Sequence, residues 1–149
     1  MQVIAQNISF GSIEPNSYDC IYTKKKNYNG EKPDKKIIKT TRKHCQKKAD
    51  IADIGAGDGR NTIPLAKLGH NVDAFEISPV GRDIIKTKAI NLPNVNISPL
   101  NIVDHQPTKT YDEIFMSHIS QHFNTEDMGK IFANISNALK KAAFLSLML

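Results

Sequence analysis

Three glycines fall within five positions of "ADIADIGAGDGRNTIPLAKLGHNVDAFEIS", residues 49 to 78, between an apolar run and a segment of helical period. Glycine adopts positive φ without steric cost and lets backbone approach a ligand with no Cβ in the way. Gly55, Gly57 and Gly59 after "ADIADI" therefore predict a strand, a tight turn and a helix, in that order. The helix "RNTIPLAKLG" carries Pro64 in its first turn and closes on Gly69 as its C′ residue. "NVDAFE" reads as the next strand, ending on Glu76.

The alternation continues along the chain. Ser78 and Pro79 make an N-cap and first-turn pair for a helix to about Ile90. "NVNIS" and "YDEIFMS" read as strands on either side of a loop. "TEDMGKIFANISNALKK" reads as a helix with Thr125 as N-cap, acids in its first turn and lysines in its last, followed by the strand "AAFLSLML". Upstream, Pro33 opens a helix candidate with Ile37, Ile38, Thr41 and Cys45 on one side, and residues 1 to 32 read as loops with one short helix. Strands alternating with helices predict an α/β, Rossmann-like, doubly wound and mainly parallel sheet with helices on both faces. The division is an N-terminal extension, 1–32, followed by one ligand-binding domain, 33–149.

Composition narrows the function classes. The chain has 149 residues with 40% hydrophobic and 23% charged, which suits one globular domain. No apolar run reaches the roughly 20 residues of a membrane helix. The first residues lack the cations of a secretory leader. Cys20 and Cys45 have no metal-ligand spacing. Together these predict reduced thiols, a cytoplasmic protein and no membrane partner. Residues 24 to 48 hold eleven Lys or Arg against Glu31 and Asp34, a local net charge of +9. A solvated helix face is the plainer reading of that block and a nucleic-acid surface the other. No metal site is read from the histidines: His118 and His122 lack an accompanying carboxylate motif, and His44, His70 and His105 read as surface residues.

Glu76 lies 21 residues after Gly55, where an acid at a strand end accepts from both hydroxyls of a ribose. A dinucleotide turn, G-x-G-x-x-G, would need its third glycine at position 60. That position is Arg60, and the third glycine comes one residue early, at Gly59. With Asp53 two residues ahead of Gly55, "IADIGAGDGR" resembles the first motif of class I S-adenosylmethionine-dependent methyltransferases. The longer stretch "DIGAGDGRNTIPLAKLGHNVDAFEIS" is similar in particular to the tellurite-resistance and thiopurine-type small-molecule methyltransferases. The similarity is specific over residues 50 to 78 and a matter of pattern over the rest of 18 to 149.

The resemblance implies S-adenosyl-L-methionine as cofactor, S-adenosyl-L-homocysteine as product and a small-molecule methyl acceptor such as a thiol or a chalcogen oxyanion. It implies cofactor contacts at Asp53, Gly55, Ala56, Gly57 and Gly59, and at Glu76 and Ile77. Asp53 either holds the glycine turn, reaches the cofactor's ammonium through water, or caps the turn as any strand-end Asp does. Arg60 and Asn61 take a local capping and packing role. Asn101 and Ile102 stand where the family recognises adenine, with Asn101 replacing the usual Asp, and Ser117 stands over the methionine end. Tyr18, in "SYDCIY", matches an aromatic that closes over the cofactor, with a packing tyrosine as the other reading. A soft nucleophile needs no general base, whereas a hydroxyl or carbon acceptor would make His118 or His122 the first candidates. The alternatives are an RNA or protein methyltransferase guided by the 24–48 block, and a cofactor binder without turnover. Related enzymes continue past the fifth strand with a helix and two strands. The family pattern is thus short at its C-terminus, and a homodimer through the edge of the last strand is expected.

Overall fold

The computed structural model describes residues 15–25, 27–28, 30–104, 107–117 and 123–148. Helices α1 (Pro15–Lys24) and α2 (Lys35–His44) precede β1 (Asp50–Ile54), α3 (Thr62–Lys67), β2 (Asn71–Phe75) and α4 (Pro79–Lys88). Then come β3 (Val95–Ser98), β4 (Tyr111–Ser117), α5 (Thr125–Ala138) and β5 (Leu139–Met148). The five strands form one sheet in the order β3-β2-β1-β4-β5, and every pairing is parallel.

The faces follow from the sequence pattern. β1 and β2 each bury four consecutive residues, the continuous apolar run of a strand covered on both sides. Their alternate side chains feed two cores. Ala52, Ile54, Phe75, Ile114 and Met116 pack against Ile131, Ile135 and Ala138 of α5. On the opposite face Ile51, Val72 and Phe115 pack against Ile37 of α2 and Leu65 and Ala66 of α3, while Ile85 of α4 covers Ala74. The crossover from β1 to β2 and the one from β4 to β5 step in opposite directions across the sheet, and a common right hand puts their helices on opposite faces. The order of the strands reverses between β1 and β4, which makes that point the ligand crevice of such a sheet.

Several element ends differ from the sequence reading. α2 begins at Lys35, not at Pro33, because the Asp34 carboxylate accepts from Lys36 N at 2.8 Å and caps it. α5 is capped by Asn124, one residue before Thr125, with Asn124 Oδ1 accepting from Asp127 N at 2.8 Å. That helix ends at Ala138, so Lys140 and Lys141 belong to β5 rather than to its last turn. Leu139 pairs with Tyr111, and Lys140 Nζ reaches Asp112 at 2.8 Å and Asp50 at 3.2 Å, contacts that only extended backbone permits there. His70 is buried, not superficial: its Nδ1 accepts from Ala49 N at 3.3 Å at the start of β1. Gly69, φ 96°, closes α3 as expected.

At the amino ends of the strands, Tyr111 Oη donates to Asp73 Oδ2 at 2.7 Å and Lys109 Nζ lies 3.0 Å from the same oxygen. Asp50 N donates to Asp112 Oδ2 at 2.8 Å, and Asn71 Nδ2 donates to Asp50 Oδ1 at 2.9 Å. Asp50, Asp73, Asp112, Lys109 and Lys140 thus form one ion network along this lower rim.

Candidate functional site

β1, β2, β3 and β4 all end at the upper rim, and their carboxyl ends bring Asp53, Glu76, Asn101 and Ser117 to one edge of the sheet. The glycine turn leaves β1 with Gly55, Gly57 and Gly59 all at positive φ, 73°, 60° and 81°. Gly59 is also constrained by packing: a Cβ there would stand 3.1 Å from Ile85 and 3.4 Å from Ile63.

Glu76 is 4% exposed and organises the turn. Its Oε2 accepts from Gly57 N at 2.7 Å and its Oε1 from Ser78 N at 2.8 Å. Burial pushes its carboxyl above the usual range, opposed by the bonds from those amides and by the nearby Arg82 charge. Each carboxylate oxygen accepts more than one hydrogen bond, so both retain capacity for hydroxyl donors. Arg82 itself donates to the carbonyls of Glu76 and Ile77 and fixes the backbone after β2.

Asp53 lies behind the turn, fully enclosed, where Thr62 Oγ1 donates to its Oδ2 at 2.5 Å. Desolvation pushes its carboxyl up to about 7 against that hydrogen bond, and the charge of Glu76 adds to the rise. Of the three readings of Asp53, the geometry displays the bond that ties the turn to the first residue of α3. Arg60 and Asn61 act locally: Arg60 lies 3.8 Å from Asp34, and Asn61 Oδ1 accepts from Asp34 N at 2.9 Å. Asn61 makes no side-chain cap on α3 and instead anchors the start of α2.

Asn101 is buried after β3, with its Oδ1 accepting from Val103 N at 3.0 Å and its Nδ2 donating to Asp104. Ile102 is buried beside it, and its carbonyl accepts from Asn134 of α5 at 2.7 Å. Ser117 ends β4 half-buried. His118 and His122 lie outside the described residues. Among the described residues no three His, Cys, Asp or Glu side chains are grouped so that they could hold a metal ion.

α1, where the sequence had pointed to Tyr18, adds a wall to the site. Tyr18 and Tyr22 stack with centroids 6.1 Å apart, and Tyr28 meets Tyr22 edge-on at 6.4 Å. Tyr18 stands close enough to the pocket for burial, and then the Glu76 charge, to raise its hydroxyl pKa. Tyr22 packs towards Gly81 of α4, where a Cβ would lie 2.9 Å from the Gly57 carbonyl and 3.0 Å from Glu76 Cγ. Gly81 is therefore the contact point of α1, α4 and the glycine turn. Its one sequence signal was a glycine inside a helix, which costs about 1 kcal/mol and needs a packing reason.

A family model described as a methyltransferase domain matches residues 51–142. Among solved structures, the chain is similar to TehB from Haemophilus influenzae, with a TM-score of 0.72 at 18% identity, covering 87% of this chain and 44% of that one. It is also similar to a TehB-like SAM-dependent methyltransferase from Corynebacterium glutamicum, with a TM-score of 0.71 at 20% identity over 90% of this chain and 73% of that one. A third similar structure is the glycopeptide N-methyltransferase MtfA complexed with sinefungin, with a TM-score of 0.68 at 17% identity over 79% of this chain and 51% of that one. The chain thus spans about half the length of MtfA and less than half that of TehB. No curated protein matches the sequence.

Proposed function

The chain belongs to the methyltransferase-domain family, and on that premise we propose that it binds S-adenosylmethionine at the upper rim and transfers the sulfonium methyl group to a small-molecule acceptor. The observation that carries the reading is Glu76, buried at the end of β2 with both oxygens on backbone amides and lone pairs left for two ribose hydroxyls. Gly55, Ala56, Gly57 and Gly59 then face the amino-acid part and the ribose, with Asp53 holding the turn from behind. Ile77, whose carbonyl is held by Arg82, would border the ribose. Asn101 keeps acceptor capacity for the adenine amino group, beside the backbone of Ile102. Ser117 borders the methionine end, and Tyr18 covers the pocket from α1. The cofactor supplies an electrophilic methyl and a thioether leaving group; the protein aligns the acceptor with the S–CH₃ bond and excludes water. A thiolate or chalcogen oxyanion acceptor would bring its own electron pair and need no general base from this chain. The contact of α1 with α4 supports counting α1, from the 1–32 extension, as part of the site beside the domain proper at 33–149.

A macromolecular, polyanionic acceptor is the second reading. The outer side of α2 borders a cleft of about 340 Å³ lined by Pro33, Lys35, Ile38, Lys39 and Arg42. Those three cations are paired with no carboxylate among the described residues, and their charge complements phosphates. No described helix is long and apolar enough to cross a membrane, and the free thiols of Cys20 and Cys45 fit the cytoplasmic reading.

Calorimetry with S-adenosylmethionine, S-adenosylhomocysteine and NAD tests the cofactor. The two sulfur nucleosides are expected to bind, and Glu76→Gln to weaken both by at least about tenfold, the equivalent of one charge-assisted hydrogen bond. Preference for NAD, or affinity indifferent to Glu76→Gln, overturns the reading. Methylation of a small thiol that is insensitive to salt supports the first acceptor class; RNA binding that collapses between about 50 and 200 mM salt supports the second.

A further inference from the structure

Ser78 is completely buried and its hydroxyl has one proton to place. The Ser78 oxygen already accepts from Gly81 N at 3.0 Å, the N-cap bond of α4. The proton goes to Asp19, whose Oδ1 accepts it from across the α1–α4 contact. The Ser78 amide in turn donates to Glu76 Oε1 at 2.8 Å, and Glu76 Oε2 accepts from Gly57 N at 2.7 Å. One unbroken chain, Asp19–Ser78–Glu76–Gly57, therefore runs from the N-terminal helix to the middle of the glycine turn.

We infer that Asp19 is a positioning residue for the cofactor pocket, holding Glu76 and the glycine turn in place through Ser78, so that docking of α1 and binding of the nucleoside favour each other. The inference rests on the cofactor reading above and adds the part played by α1. A carboxylate is a strong and directional acceptor for a buried hydroxyl. Without it the Ser78 proton turns to another acceptor, the N-cap loosens, and the Glu76 oxygen held by the Ser78 amide gains freedom. The contact point leaves little room for a compensating shift, since a Cβ on Gly81 would already stand 2.9 Å from Gly57 O and 3.3 Å from Tyr22. Reciprocity requires that a nucleoside fixing Glu76 also strengthens the hold on α1.

The test uses the full chain in four forms: wild type, Asp19→Ala, Asp19→Asn and Asp19→Ala with Glu76→Gln. Asn keeps an oxygen acceptor at position 19, so Asp19→Asn is expected to bind S-adenosylhomocysteine close to wild type, while Asp19→Ala binds about tenfold more weakly. In the Glu76→Gln background the Asp19→Ala effect is expected to shrink towards nothing, because both changes act on one chain of hydrogen bonds. In the free protein, Asp19→Ala is expected to shift the Gly57 amide resonance and speed its hydrogen exchange. Loss of thermal stability in Asp19→Ala with unchanged S-adenosylhomocysteine affinity and unchanged Gly57 exchange overturns the inference, as does strict additivity with Glu76→Gln. Failure of the wild type to bind S-adenosylhomocysteine overturns the cofactor reading. The Gly57 exchange measurement needs no ligand and still decides whether Asp19 holds the turn.

Discussion

At the scale of single residues, the buried acid Asp53 gives the clearest consequence. Its carboxyl sits at about 7 in the fold against an ordinary 3.8, so the folded chain binds a proton that the unfolded chain releases. The stability this contributes is complete below about pH 4 and declines as pH rises from there to about 7. Wild type is therefore expected to lose stability across that window relative to Asp53→Asn, which retains an oxygen acceptor for the Thr62 hydroxyl and carries no titrating group. Urea unfolding of both at several pH values measures it; parallel curves would refute the buried-acid account. The same residues show what the sequence made readable. Asp53, the three glycines and Glu76 are defined by spacing along one strand–turn–helix–strand unit, and that spacing survives in three dimensions. Asp19, Gly81 and the burial of His70 depend on partners 59, 24 and 21 positions away. No local period encodes those partners.

At the scale of elements, α2 is amphipathic in an unusual way, since its buried side includes a hydroxyl that serves a charge. Thr41 Oγ1 donates to Glu113 Oε2 at 2.7 Å, with both residues fully buried between α2 and the middle of β4. The Cys45 thiol, pushed up to about 11 by burial and then by the Glu113 charge, stays protonated and approaches the same oxygen at 3.9 Å. Thr41→Val matches the volume and removes the donor, so it is expected to cost about 1–3 kcal/mol. Thr41→Ser should recover most of that loss, and denaturant unfolding decides. The period of α2 was legible because Ile37 and Thr41 repeat at helical spacing. The junction of α5 and β5 was not. "NALKK" carries both helix-favouring residues and a dipole-favourable charge, and tertiary contact of Lys140 with Asp50 and Asp112 settles it as strand.

At the scale of the molecule, β5 is an edge strand among the described residues, hydrogen-bonded to β4 and to no other strand of theirs. Phe144 stays 37% exposed there, its ring centroid 3.6 Å from that of His44. The chain is expected to self-associate through this edge as concentration rises, and Phe144→Lys to shift it towards monomer. Light scattering that finds a monomer at every concentration would remove the edge-pairing idea. The fold itself was legible at this scale because alternating strands and helices admit few connections of the right hand. How the edge is covered was not, since pairing between sheets leaves no mark on a single chain.

The lower-rim ion network has a practical corollary. Its Asp50 end lies a strand length from the glycine turn, roughly 16 Å for five residues, and the network shares no side chain with the proposed nucleoside pocket. A fluorophore attached beside Lys109 would report whether the scaffold is intact, and one placed near α1 would report occupancy of the pocket. The two signals would then separate damage to the scaffold from loss of ligand in a single sample.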